Sequence, residues 1–205
     1  MFTDQQRLVA AIGIALHAHG MQLDKGGVLY FLHPLHVMDK VKGTSAKIVA
    51  VSHDVPEDTD TTLDYYREHE VGFTREEIDA IDAITKRKGE KKRDYWARVK
   101  ANPLALYVKL WDMAHTSSPA RRATLPTEEE RVYLRDKYNE ARKYYAENDG
   151  LMPVINGWEF GDARKMLTAV GYEEDYWCEG WRLIMDANER GIIQISFDNI
   201  ITLAP

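Results

Sequence analysis

A chain of 205 residues with 44% hydrophobic and 29% charged side chains can bury a core unaided, as one domain with or without a small appendage. Its net charge of −6 argues against a general nucleic-acid or anionic-membrane surface, yet leaves room for a small phosphate ligand met by local cations. The single cysteine, Cys178, excludes an intramolecular disulfide and any Cys-x-x-Cys zinc or redox site.

No apolar run approaches the ~18 residues of a membrane span. The first residues also lack a basic stretch followed by a signal-peptide core, so the expected location is cytoplasmic. Helical periodicity dominates residues 1–150. Leu8, Ile12, Ala15, Leu16 and His19 share one face of a first helix, which a Gly/Asp-rich loop, Asp24 to Gly27, ends. Pro34 suits the first turn of a second helix running to about Lys42. Gly43-Thr44-Ser45 breaks it, and Ser45 is expected to cap a third helix carrying Ile48, Val49, Val51 and Ser52-His53-Asp54. Further helices are expected over about 61–69, 74–86, 90–101, 103–116 and 127–147. Thr74 with Glu77, and Thr127 with Glu130, are capping-box pairs.

Composition changes near Asn148-Asp149-Gly150. Residues 1–150 hold 24 acidic and 23 basic side chains, whereas residues 151–205 hold 9 and 4, so the negative excess sits in the tail. Trp158, Trp177 and Trp181 lie there too. The expected division is a helical domain over 1–150 and an aromatic-rich α+β appendage over 151–205. In the appendage a helix is expected near 160–170 and strands after it, foremost Ile192 to Phe197. So many aromatics suit a packed element or an interface, one that a protein partner or a second copy of the chain would meet.

The segment His53-Asp54-Val55-Pro56-Glu57-Asp58 carries the chemistry. Neighbouring helical residues point about 100° apart, so a His-Asp pair can converge on one cation from both sides of a helix edge. Glu57 and Asp58 follow His53 and Asp54 by four residues, so each stacks over one member of the pair. Pro56 lacks an amide hydrogen and disfavours helix at Val55, so the helix is expected to end or kink here with Glu57 and Asp58 at its mouth. Such a density of titratable groups beside Ile48 to Val51 is costly to bury without a cation.

Two further ligands are expected. His33-Pro34 sits where a loop enters a helix, and Asp112 lies in the largely apolar Val108-Lys109-Leu110-Trp111-Asp112. Two imidazoles and two carboxylates suit Mn²⁺, Fe²⁺ or Zn²⁺ better than Ca²⁺. Against this set stand ordinary readings: His33 bonded to a loop, Asp112 paired with Lys109, Glu57 and Asp58 on a solvated helix end. His36, His69 and His115 read as structural or surface histidines. The basic run Lys86 to Arg93 reads as a solvated loop, with the rim of an anion pocket as its alternative.

These residues also fall into longer motifs: His19-x-x-Gln22-x-Asp24-Lys25-Gly26-Gly27-x-x-Tyr30-x-x-His33-Pro34, His53-Asp54-x-x-Glu57-Asp58-Thr59 and Lys109-Leu110-x-Asp112. Over about residues 5–147 the sequence resembles the hydrolase domain of RelA/SpoT homologues, and within them the small alarmone hydrolases. The resemblance implies an all-α HD-domain bundle and removal of the 3′ pyrophosphate of ppGpp or pppGpp. It implies Mn²⁺ on His33, His53, Asp54 and Asp112, with Glu57 and Asp58 positioning and deprotonating the attacking water. Asp24, Lys25, Lys109, Thr116 and Tyr138 fall to the nucleotide, Lys25 at phosphate and Tyr138 at the base. The synthetase domain of bifunctional homologues has no counterpart in residues 151–205.

Two positions depart from the family. Asp24 stands where longer enzymes have an arginine that packs on guanine, so adenosine alarmones come into range. Thr116 stands where asparagine often follows the metal-binding aspartate, which changes contacts to ribose or phosphate. A different HD nucleotide phosphohydrolase, and an antitoxin-like module that binds an alarmone or a partner without turnover, are the competing functions.

Overall fold

The computed structural model describes residues 2–147 and, beyond them, strands at 154–155, 193–195 and 200–203. The chain divides into two compact units, Met1–Val132 and Tyr133–Pro205. The first unit contains α1 (Asp4–His19), α2 (Leu32–Lys40), α3 (Thr44–Ser52) and a single turn, α4 (Val55–Asp58). There follow α5 (Leu63–Glu68), α6 (Arg75–Ile84), α7 (Lys92–Lys100), α8 (Pro103–Thr116), α9 (Pro119–Ala123) and the start of α10 (Glu128–Glu147). Among these helices none is long and apolar enough to cross a membrane.

The centre is α3, against which α1, α2, α6 and α8 pack. Ile48, Val49, Ala50 and Val51 are fully buried, four successive apolar residues that cover every side of the helix over one turn. α8 is the second spine. Asn102 accepts a hydrogen bond from the Ala105 amide and Pro103 fills the first turn, so the helix starts where Asn-Pro predicts. Leu104, Leu106, Val108, Leu110, Trp111 and Met113 are all buried along it, each large side chain worth roughly 1.5–3 kcal/mol of transfer from water.

Local expectations fare differently where a side chain finds a distant partner. Thr74 and Glu77 form the expected capping box at α6. Ser45 does not cap α3. That helix begins after Gly43, whose φ of 88° suits a glycine, and the Ser45 hydroxyl donates instead to Glu77 Oε1 at 3.0 Å. Leu16, grouped with the inner face of α1, is 52% exposed. The buried stripe runs through Ala11, Ile14, Ala15 and His19, and Leu16 lies about 100° round from Ala15. The five-residue α9, capped by Ser118, was not anticipated.

Glu77, fully buried, ties three helices together. It meets Arg7 of α1 at 3.3 Å, the Ser45 hydroxyl of α3, and the Thr74 amide at 2.8 Å. Glu77→Ala would leave the largely buried Arg7 without that partner and the Thr74 amide uncapped. The variant is expected to lose about 3 kcal/mol of stability, read from the shift of its urea unfolding midpoint.

In the second unit a three-stranded sheet has the order β1-β3-β2. β1 (Val154–Ile155) runs parallel to β3 (Ile200–Leu203), with Val154 opposite Ile200. β2 (Ile193–Ile195) runs antiparallel to β3, with Ile193 opposite Leu203. β2 falls within the foremost expected strand and β3 among the strands expected after the 160–170 stretch, while β1 was not expected. The helix expected near 160–170 and the three tail tryptophans lie outside the described residues.

Candidate metal centre

Three helices and one turn bring the expected ligands to a single point. His33 enters on the first turn of α2, and Asp112 projects from the third turn of α8. His53 and Asp54 occupy the bend between α3 and α4, where Asp54 caps a turn with Pro56 in its first positions. The break falls two residues before the place expected, at His53-Asp54, and Val55 and Pro56 open α4 because a first turn tolerates proline. Both carboxylates beyond, Glu57 and Asp58, are exposed as expected at the mouth. Asp58 still follows Asp54 by one turn, its amide donating to the Asp54 carbonyl at 2.9 Å.

The donor atoms form a closed ring. His33 Nε2 lies 3.0 Å from Asp112 Oδ1 and 3.7 Å from Asp54 Oδ2. His53 Nε2 lies 3.0 Å from Asp54 Oδ2 and 3.8 Å from Asp112 Oδ1. Donors held about 2.1 Å from one ion stand ~3.0 Å apart at right angles and ~3.4 Å apart at the tetrahedral angle. His33, His53 and Asp112 are buried, and Asp54 is nearly so.

The tautomer of His53 tests the fit. Its Nδ1 lies 2.7 Å from the Ala50 carbonyl, which can only accept, so Nδ1 carries the hydrogen. With Nδ1 so engaged, Nε2 is the atom left buried and facing two carboxylates, and it meets them either as a bare lone pair beside a bound cation or with a proton in the cation's place. That arrangement wants a cation. Burial alone would lower the His53 pKa, but Asp54 and Asp112 outweigh it and raise it to about 10. Burial works against the charge of Asp112 as well, yet Lys109 and the two histidines hold its carboxyl well below the usual range.

Around this ring the neighbours are engaged. Lys109 Nζ pairs with Asp112 Oδ2 at 2.7 Å, and Thr116 donates to Asp112 Oδ1 at 3.0 Å. Both residues expected at the substrate therefore reach Asp112. Tyr30, to which the sequence reading gave no role, donates its hydroxyl to Asp54 Oδ2 at 2.6 Å and sits 3.0 Å from Asp58 Oδ2. Glu57 Oε2 accepts from the Lys86 amide at 2.9 Å, which brings the basic loop to the mouth of the site. Although both side chains reach solvent, desolvation on the side turned to the site raises the pKa of Glu57 and Asp58, and the neighbouring Asp54 charge adds to it.

Asp24 closes its own loop. Oδ1 accepts from the Gly26 and Val28 amides, both at 2.9 Å, and Oδ2 pairs with Arg121 at 3.2 Å. Gly26 packs so tightly on Thr124 that a Cβ there would overlap its side chain. Lys25 is exposed, 4.0 Å from Glu130. Tyr138 lies on α10 in the second unit. Of the histidines set aside, His36 is exposed and His69 accepts from the Val71 amide. His115 contacts His33 directly, Nδ1 to Nδ1 at 2.7 Å. Burial, and then the charges of His33, His36 and Arg121, push the His115 pKa down to about 3.

No protein-family model matches the chain. Among solved structures it is similar to a metazoan orthologue of SpoT, described as hydrolysing ppGpp and playing a role in starvation responses. The TM-score is 0.57 at 16% identity, over 69% of this chain and 86% of that one. The likeness is one of fold, and among the described residues the unit Met1–Val132 is an all-α bundle, as expected. In this helical bundle the four donors come from α2, the α3–α4 bend and α8, so the helical packing itself builds the site.

Proposed function

We propose that the chain is a metal-dependent hydrolase that removes the 3′ pyrophosphate of an alarmone nucleotide, either ppGpp or pppGpp or the adenosine analogue. The observation that carries this reading is the ring of four donor atoms, with the orphaned His53 Nε2 inside it and two exposed carboxylates beside it. His33, His53, Asp54 and Asp112 would hold a divalent ion, for which the imidazole and carboxylate set suits Mn²⁺. Such an ion, when bound, supplies positive charge for phosphate oxygens and acidifies water. Glu57 and Asp58 orient the attacking water and take its proton, their pKa values raised toward that task. Tyr30 holds Asp54 and Asp58 at fixed spacing. Lys109 neutralises the outer oxygen of Asp112 and so acts on the substrate through the ligand.

Lys25, on its exposed loop, meets a phosphate of the nucleotide as a point charge. Asp24, with both oxygens engaged, shapes that loop, which leaves base selection to the 115–122 segment carrying Thr116, Arg121 and Arg122. Tyr138 remains assigned to the base by resemblance. Lys25→Ala is expected to raise KM to a similar degree for guanosine and adenosine alarmones, because a phosphate contact is blind to the base. Steady-state kinetics on ppGpp and ppApp check this, and a change confined to one nucleotide would move Lys25 to the base.

The test of the reading is a substrate panel. Purified protein with Mn²⁺ is incubated with ppGpp, pppGpp, ppApp and ordinary nucleoside mono- and triphosphates, and products are resolved by chromatography. Alarmones are expected to be consumed faster than the ordinary nucleotides. The reverse order would make the chain a different HD nucleotide phosphohydrolase, and binding without turnover would make it an antitoxin-like module.

A further inference from the structure

His53 has its tautomer set by its own helix, through the Ala50 carbonyl three residues back. His33 has no such carbonyl. Its Nδ1 is directed instead at Nδ1 of His115, 2.7 Å away on α8. Two ring nitrogens at that separation share one hydrogen, since two hydrogens would collide and none would leave lone pairs opposed. A histidine that binds a cation through Nε2 must carry its hydrogen on Nδ1. The shared hydrogen then belongs to His33, and His115 Nδ1 is the acceptor.

We propose that His115 is a positioning residue, whose Nδ1 accepts the His33 hydrogen and thereby keeps His33 Nε2 bare and aimed at the carboxylates. The proposal rests on the metal-centre reading above and adds a fifth residue to it. Its geometry has two matching halves. α2 carries His33 and, three residues on, His36; α8 carries Asp112 and, three residues on, His115. Each helix thus presents one ligand and one supporting ring on the same side. His115 lies edge to edge with His33, ring centroids 5.0 Å apart and planes only 11° off parallel, as a hydrogen bond between ring nitrogens requires, and His36 covers the face of His115 at 3.9 Å and 15°. The His36 ring against its face limits rotation of the His115 ring, which would otherwise carry Nδ1 away from His33. Hydrogen-bond partners of this kind orient a metal-bound histidine and raise its basicity.

Two substitutions separate the acceptor from the ring. His115→Phe keeps a flat ring in the stack and removes the acceptor. His115→Asn discards the ring but places Oδ1 near the position of Nδ1. Mn²⁺ affinity is measured by isothermal titration on the full chain, with far-UV circular dichroism and melting as controls for folding. His115→Phe is expected to bind Mn²⁺ about 10–100-fold more weakly than wild type, and His115→Asn to stay within about threefold of it. If the phenylalanine variant does not fold, His115→Ala, which adds no bulk, carries the same expectation. Wild-type affinity in the variants that lack the acceptor would overturn the proposal, as would an asparagine variant as weak as they are. A wild-type protein that binds no Mn²⁺ would overturn the metal-centre reading itself, an outcome distinct from either.

Discussion

His53→Ala and Asp112→Ala are each expected to abolish both Mn²⁺ binding and turnover. His53 supplies the one ring nitrogen that is buried, unpartnered and flanked by two carboxylates, so its loss leaves Asp54 and Asp112 facing each other with less to hold an ion. Asp112 contributes an oxygen 3.0 Å from His33 Nε2 and balances Lys109 with the other. Without it Lys109 stands beside two imidazoles, which opposes a second cation. Folding is affected less. His53→Ala leaves the Ala50 carbonyl without its donor and costs about 1–3 kcal/mol. A domain with ordinary stability, roughly 5–15 kcal/mol, survives this. Metal content after dialysis, set beside the circular dichroism spectrum, checks the prediction. A folded variant that keeps its metal and its rate removes the residue from the site.

Glu57→Gln and Asp58→Asn are expected to retain Mn²⁺ and lose kcat by a factor on the order of 10²–10⁴. Both substitutions preserve shape and hydrogen bonding. The amide oxygen of the glutamine can still accept from the Lys86 amide, and that of the asparagine from the Tyr30 hydroxyl. What disappears is the basic carboxylate, so the loss in rate reports proton transfer rather than collapse of the mouth. Measuring kcat together with Mn²⁺ affinity separates the two. Unchanged kcat in both variants would move the base to another residue, and weakened Mn²⁺ binding would make the lost carboxylate a ligand.

The helices were legible wherever their signals are local. The capping pair Thr74-x-x-Glu77 acts over a few residues, and its helix begins where it says. Ser45 carries an equally good local signal and fails. Its hydroxyl is taken by Glu77, 32 residues away, a partner invisible to any window of sequence. The site divides along the same line. His53-Asp54 and an aspartate stranded on an apolar helix declare themselves by chemistry, because such groups are costly to bury unpaired. Tyr30 and His115 do not, since a phenol in a loop or an imidazole near a helix end is ordinary until the folded chain sets it 2.6 Å from Asp54 or 2.7 Å from His33. Asp24 was read from its departure from a family pattern. Its loop amides and Arg121, nearly a hundred residues on, account for both its oxygens.

The central claim is a single bond broken at a single metal centre. It is tested most directly by incubating the purified chain with Mn²⁺ and ppGpp, and resolving the phosphorus products by ³¹P nuclear magnetic resonance. Pyrophosphate is expected to appear with GDP in equal amounts, to cease when EDTA strips the metal, and to return when Mn²⁺ is restored. Release of orthophosphate in place of pyrophosphate, or pyrophosphate release that EDTA does not touch, would contradict it.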